Sequence, residues 1–479
     1  MRHLVLCLVL VFTSKIVAAP TAPTSPPAPV LFVKILGPEG LAITFHPGSS
    51  KPQRFDAPVV VGFRPGYVYR LELSLPNQPN LKVFPSVEVR GALQAPIEQA
   101  MRHPLPLVFT NEDLDRIANA GAMVTKVHFL EDPLLAQPVA TRPDEPLTFE
   151  ASPIADAMFE ARLRGRPLLI VRFGEREPQP EELARIAVPN TILFPGEQRL
   201  GPPPIPPSLP WMHAPIFDPI IGAKRGVEEI LPDGGDSGLR VGIGPENRLG
   251  GLDPSDSAVE YQFSKDRKRA SVSNRVHVFG PRFGVIRQEL VPAGQLFVQV
   301  VGETSTTKSL ANVATAVRAG STSATQHAAA TVTRQSLSST EGLIRLSGFD
   351  NVKNVQIVGS ISGVQSLGAV KEPDEIVSHP FSEPISLFKW AEPREARPGD
   401  IVTYYLRYKN NTREPVDNLA ITDSLIPRLE YIPGSARSDR EMAFSVKENE
   451  VGSAVLRWQL TGQLPPGAQG VVSFQVRVR

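Results

Sequence analysis

Arg397-Pro-Gly-Asp-Ile-Val-Thr-Tyr-Tyr-Leu-Arg-Tyr-Lys-Asn410 is the stretch that decides the fold class of this chain. Within it Val402, Tyr404, Leu406 and Tyr408 alternate with Thr403, Tyr405 and Arg407. Successive side chains of an extended strand face opposite sides of a sheet, so a period of two predicts a half-buried strand. The final residues repeat the pattern, with Val472, Phe474, Val476 and Val478 alternating with Ser473, Gln475, Arg477 and Arg479. Leu456, Trp458 and Leu460 supply another apolar face, and Asn410-Asn-Thr412 and Pro465-Pro-Gly467 mark turns. Short strands at this spacing, with no long helix among them, predict a β-sandwich over residues 385–479.

Outward from that module, the whole chain reads as mainly β and multi-domain. Its 479 residues suit about three domains. The 41% hydrophobic content is enough for packed cores, and 49 prolines favour loops, edge strands and linkers over helix interiors. The N-terminus carries Arg2 and His3, an apolar run Leu4–Phe12, and small residues at Val17-Ala-Ala19. Nine apolar residues are too few to span a bilayer, so residues 1–18 are expected to be a cleaved export signal and no transmembrane segment is expected. Cys7 lies inside that signal and is the only cysteine. The mature chain therefore has no disulfide, thiolate metal site or cysteine nucleophile, and its domains must be held by core burial.

Residues 19–29 form a Pro-rich spacer. Residues 30–200 read as a β-rich domain with short helices. Tyr67, Tyr69, Leu71, Leu73 and Leu75 alternate with polar or smaller residues, Val87 and Val89 suggest another strand, and Leu168–Phe173 a third. Thr110-Asn-Glu-Asp113 resembles a capping box, and Ser152-Pro153 is expected to start a helix carrying Ile154, Ala157, Met158 and Ala161. Residues 201–210 are a second Pro-rich hinge, and 211–302 are expected to form a further β-rich domain with strands at Arg275–Val278, Phe283–Leu290 and Gln295–Val301. Residues 303–342 read as a Ser/Thr/Ala-rich linker and 343–384 as an unassigned β segment.

Two resemblances attach to these residues. Lys389, Arg397-Pro-Gly-Asp400, Tyr404, Asn410, Leu419-Ala-Ile-Thr-Asp423-Ser-Leu425 and Leu464-Pro-Pro-Gly467 resemble the bacterial conserved repeat called domain of unknown function eleven. The resemblance implies an immunoglobulin-like sandwich of surface and envelope proteins, related to the repeat in the large cysteine-rich outer-membrane-complex protein of chlamydiae. Glu228-Glu229, Asp233-Gly-Gly-Asp236, Gly251-Leu-Asp-Pro-Ser-Asp256, Glu260-Tyr261 and Ser273-Asn-Arg-Val276 are similar to exported envelope proteins of planctomycete type, as is Val124-Thr-Lys-Val127. Cysteines of that pattern are replaced by Pro232 and His277, so any crosslinking through them is closed to this chain.

The best candidates for chemistry are Asp233, Asp236, Asp253 and Asp256. Calcium takes six to eight oxygens, and closely spaced carboxylates in Gly-rich loops can supply them, although the spacing is not that of an EF-hand and Asp and Gly also simply make turns. No two histidines are spaced as a metal pair, and His213 with Asp218 specifies no coordination shell. Gly359-Ser-Ile-Ser-Gly363 places Ile361 where a nucleophile would stand, and Gly242-Ile-Gly244 lacks the third glycine of a nucleotide loop. Lys389 can be read as half of an internal isopeptide crosslink. Such a bond needs an Asn or Asp, usually on a late strand, and Val471–Arg479 holds neither, so that reading is not adopted.

With 50 Lys+Arg against 49 Asp+Glu, the chain has no global electrostatic reason to seek nucleic acid. The leading expectation is a non-enzymatic, exported cell-envelope protein with a structural role, whose partners are envelope proteins or glycans. A secreted binding or adhesion module is the second expectation, and a glycan-acting enzyme within residues 30–302 the third.

Overall fold

A computed structural model describes residues 30–48, 51–205, 228–264, 267–291 and 383–479. The expected export signal, the strand at Gln295–Val301, the linker at 303–342, nearly all of 343–384, and His213 with Asp218 lie outside the described residues. The chain is mainly β, with several separate sheets, as its alternating patterns predict. Among the described residues no helix is long and apolar enough to cross a membrane.

The first part runs through β1 (Leu31–Leu36), β2 (Ala42–Phe45), β3 (Gln53–Asp56), β4 (Val59–Phe63), β5 (Val68–Leu75), β6 (Gln78–Val83) and β7 (Ser86–Val89). There follow α1 (Ile97–Arg102), β8 (Leu105–Val108), α2 (Asn111–Ala120), β9 (Met123–Glu131) and β10 (Leu147–Ala151). Then come α3 (Ala157–Arg164), β11 (Gly165–Phe173), α4 (Pro180–Ile186) and β12 (Ile192–Leu193). The middle stretch holds β13 (Ile230–Gly234), β14 (Gly242–Ile243), β15 (Leu249–Gly250), β16 (Ser257–Phe263), β17 (Arg269–Val272), β18 (Arg275–Phe279) and β19 (Phe283–Leu290). The last part is β20 (Ile385–Glu392), β21 (Ile401–Asn410), β22 (Val416–Ser424), β23 (Leu429–Tyr431), β24 (Arg437–Ser438), β25 (Met442–Glu448), β26 (Ala454–Leu460) and β27 (Gln469–Val478).

Two bodies result. In the first, a four-stranded sheet ordered β12-β4-β1-β8 accompanies a nine-stranded sheet ordered β10-β19-β9-β11-β7-β5-β2-β3, with β6 on β5. Tyr69, Leu71 and Leu73 point into the core from one face of β5, and Phe45, Phe63 and Phe194 pack nearby. The second body is a sandwich of two five-stranded sheets, β17-β16-β22-β26-β25 and β20-β21-β27-β23, with β24 on β27, and the two-stranded sheet β13-β18 adds Leu231 and Val278 to its core. Val402, Tyr404, Leu406 and Tyr408 on β21 and Val472, Phe474, Val476 and Val478 on β27 are fully buried between them, as their spacing requires.

Local signals fare unevenly. Thr110 caps α2 in a complete capping box with Asp113, and Gly121 ends that helix in the left-handed region. The second helix starts later than Ser152-Pro153. Asp156 caps α3 by accepting from the amides of Met158 and Phe159, while Gln288 ties down the carbonyls of Ser152, Pro153 and Ala155. Ile154 stays 88% exposed as a result.

Among the described residues of 211–302, the strands that pair with one another are β13 with β18, β14 with β15 and β16 with β17. Strand β16 pairs antiparallel with β22, placing Ser257 opposite Asp423. Strand β19 instead crosses to the first body and lies between β9 and β10. Alternation records that a strand has a buried face, not which sheet supplies the partner, so the period-two pattern could not place either strand.

Only residues 280–282 separate β18 in the second body from β19 in the first, and they are densely tied. Arg282, 2% exposed, is ion-paired with buried Glu131 and donates to the carbonyls of Val139 and Gln137. The Gly280 amide donates to the Glu229 carbonyl, and its own carbonyl accepts from buried Arg428. Glu395 meets Arg102 and His103 across the same junction. Removing one partner of a buried pair strands the other charge, at a cost of roughly 3–5 kcal/mol. Arg282→Ala should therefore lower the urea midpoint of the full chain substantially, whereas Arg142→Ala, at an exposed pair with Glu145, should hardly move it.

Candidate functional site

The most chemically loaded place in the molecule is the interior of the second body. On β20 the inward phase runs Ile385, Leu387, Lys389, Ala391, so Lys389 takes a position its pattern reserves for an apolar residue. On β22 the inward phase runs Leu419, Ile421, Asp423, Leu425. On β13 it is Leu231 and Asp233, and on β16 Ser257, Val259 and Tyr261. Four strands thus aim Lys389, Asp423, Asp233 and Ser257 at one point.

The geometry is tight and dry. Lys389 Nζ lies 2.7 Å from both oxygens of Asp423 and 2.7 Å from Asp233 Oδ2, with all three side chains 0% exposed. It also lies 3.0 Å from Ser257 Oγ, whose hydroxyl donates to Asp423 Oδ1 at 2.5 Å. The Tyr404 and Phe474 rings sit beneath the ammonium, with centroids at 4.9 and 5.7 Å. Asn274 clasps the backbone of Lys389, accepting from its amide at 2.7 Å and donating to its carbonyl at 2.9 Å.

The two carboxyl groups are not equivalent. Asp423 accepts directed hydrogen bonds from both Lys389 and Ser257. Asp233 touches Nζ through Oδ2, but neither of its oxygens meets a well-aligned donor. Burial, the largest influence, pushes the Asp233 carboxyl up to about 8 against the lowering pull of Lys389, and the nearby Asp423 adds to the rise. At neutral pH the site thus favours a neutral acid at Asp233 beside the Lys389–Asp423 pair.

The expected calcium ligands do not share a shell. Asp233 turns inward to Lys389. Asp253 accepts from the Leu239 amide at 2.7 Å, and Asp256 from the amides of Ser237 and Asp253 at 2.8 and 3.0 Å. Exposed Asp236 faces the Val241 amide at 3.3 Å. Asp236, Asp253 and Asp256 shape a turn with Gly234 and Gly235 at positive φ, and among the described residues no three His, Cys, Asp or Glu side chains converge on a cation position. Ser257 was not singled out by the sequence, and Asn274 entered only within the Ser273-Asn-Arg-Val276 motif. Asp423 entered only within a motif, although an Asp and a Lys on inward phases of apolar strands were the available signal.

A second polar cluster lies in the first body. Lys126 on β9 donates to Asp113 Oδ2 at 2.5 Å and to the Val108 carbonyl at 2.7 Å, and Arg287 on β19 donates to Asp113 Oδ1 at 2.9 Å. Burial pushes Asp113 up, but Lys126 and Arg287 outweigh it and hold the carboxyl below its usual range. His128 lines the adjoining cavity of about 310 Å³, 1% exposed, with neither ring nitrogen hydrogen-bonded. Burial, helped by Lys126, pushes its imidazole down to about 3.

No family model and no curated protein matches the chain. Among solved structures, one from Corynebacterium diphtheriae recorded as "Putative membrane anchored protein" aligns over 94% of this chain and 88% of its own, at 8% identity and a TM-score of 0.18. A likeness that slight carries no argument about fold or function.

Two outcomes follow. Lys389→Met leaves two dry carboxyl groups without their cation and should destabilise the second body by roughly 3–5 kcal/mol, read from tryptophan fluorescence in urea. Adding Asp233→Leu and Asp423→Leu to that variant should recover much of the loss. His128 is neutral when folded but protonates near 6.5 when unfolded, so its contribution is full above that pH and is lost as pH falls toward 3. His128→Leu should flatten the acid limb of stability by up to about 1.4 kcal/mol per pH unit in that window.

Proposed function

We propose that this chain is a non-enzymatic, exported cell-envelope or cell-surface protein whose role is structural. The observation that carries this reading is the way the two β-rich bodies are sewn together. The middle segment gives β13 and β16–β18 to one body and β19 to the other, and the crossing at 280–282 is hydrogen-bonded from both sides. Such a unit resists flexing without any disulfide, which suits a load-bearing or spacing element. The N-terminal export pattern, and the resemblance of residues 389–467 to the immunoglobulin-like repeat of bacterial envelope proteins, support the location. Envelope proteins or glycans are the partners this reading implies, and it assigns the protein no catalytic step.

One feature favours a second reading as a binding or adhesion module. A cleft of about 580 Å³ opens at the junction, lined by Lys34, Arg102, His103, Arg142, Arg282 and Arg397 together with Asp144 and Glu145. The cleft suits an acidic glycan or peptide through Arg397, since Lys34, Arg102, Arg142 and Arg282 already meet Asp144, Glu395, Glu145 and Glu131.

Fractionation of native cells separates these readings. Retention in the washed envelope after salt and EDTA is the expected result. Free protein in the medium would overturn the structural reading and direct attention to the cleft, where Arg102→Glu with Arg397→Glu should abolish binding of acidic glycans.

A further inference from the structure

We propose that Lys389 and Asp233 become joined by an isopeptide bond, formed within the folded second body, with Asp423 moving the protons. This goes beyond the structural role and does not rest on it.

The reactants are already in place. The amine nitrogen is 2.7 Å from an Asp233 oxygen, and neither side chain has anywhere else to go. Asn274 holds the Lys389 backbone on both sides, Ser257 anchors Asp423, and the Tyr404 and Phe474 rings close the floor. Groups held at such separations react with effective molarities on the order of 10⁵ M or more, provided they are oriented for attack. Asp233 also has the right form. A carboxylic acid can lose its hydroxyl as water, whereas a carboxylate cannot, and burial favours the acid at neutral pH.

The step balances as follows. Asp423, which accepts from Nζ through both oxygens, takes one proton from the ammonium and leaves a neutral amine. The Nζ lone pair attacks Asp233 Cγ, forming the C–N bond and a tetrahedral centre. A second Nζ proton passes through Asp423 to the Asp233 hydroxyl, the C–O bond breaks, and water departs. The amide nitrogen keeps one proton and Asp423 keeps another. No oxidant, reductant or external group is required. The site begins with an ammonium and a carboxylate in a dry interior and ends with no charged group there, which favours the product. Water expelled from so closed a site is not at hand to reverse the reaction.

The consequence is a covalent tie between β13 and β20, strands that belong to segments far apart in the chain. In a protein whose mature form has no cysteine, this crosslink takes the place a disulfide would hold.

Intact-mass measurement of the purified full chain under denaturing conditions tests the proposal. The expected mass is short of the sequence mass by one water. Trypsin should yield peptide 226–240 joined to peptide 372–394, with Lys389 uncleaved. Asp233→Ala and Asp423→Ala should each restore the full mass, with native tryptophan fluorescence showing that the variant folds. The wild-type result stands even where a variant does not fold. An unmodified wild-type mass overturns the bond. A link from 372–394 to peptide 414–428, which carries Asp423, overturns the assignment of electrophile and proton carrier.

Discussion

A lysine ammonium with no access to water constrains the whole second body. Lys389 is tolerable only if carboxyl groups reach it from elsewhere, because an isolated charge in an apolar interior costs far more than the domain's net stability. Those groups come from β22 within the sandwich and from β13, well upstream in sequence. The sandwich therefore cannot finish its core from residues 385–479 alone. It needs the segment Glu228–Phe279, and the same segment supplies Ser257 and Asn274 to hold the cluster in register.

That requirement reaches into the first body. Strand β19 follows β18 after three residues and enters the nine-stranded sheet between β9 and β10. Without it β10 would have no strand neighbour there, so neither body is complete without the middle stretch. The buried pair Arg282–Glu131 and the donors around Gly280 fix the crossing point. The stabilising bulk still comes from apolar cores, Phe45, Phe63 and Tyr69 in one body and Tyr404, Trp458 and Phe474 in the other. The ionic clusters act differently. They add little net stability but penalise every arrangement in which their partners fail to meet, which selects one pairing of segments.

Much of this was legible in order along the chain. The period-two runs at β5, β21 and β27 predict their buried faces, Val402 through Val478 included, because alternation in a strand maps directly onto inside and outside. The capping box at Thr110 is equally local and equally visible. The start of α3 was missed because a tertiary contact from Gln288 holds Ser152–Ala155 out of the helix. Asp236, Asp253 and Asp256 looked like ligands, since Asp in a Gly-rich turn has the same signature whether it binds a cation or the backbone amides of its own loop.

Sequence alone determined the mainly β character, the buried faces of the strands within residues 385–479 and the lack of a second cysteine to pair with Cys7, because each depends on composition or on spacing along one segment. Only the tertiary structure decided that the middle region divides between two bodies and that Lys389 faces Asp233 and Asp423 rather than a residue of the final strand. The physical reason is distance in sequence. A strand's pattern states that it has a buried face, and a charge on that face states that it needs a partner, but which remote strand supplies the partner is settled only when the sheets close.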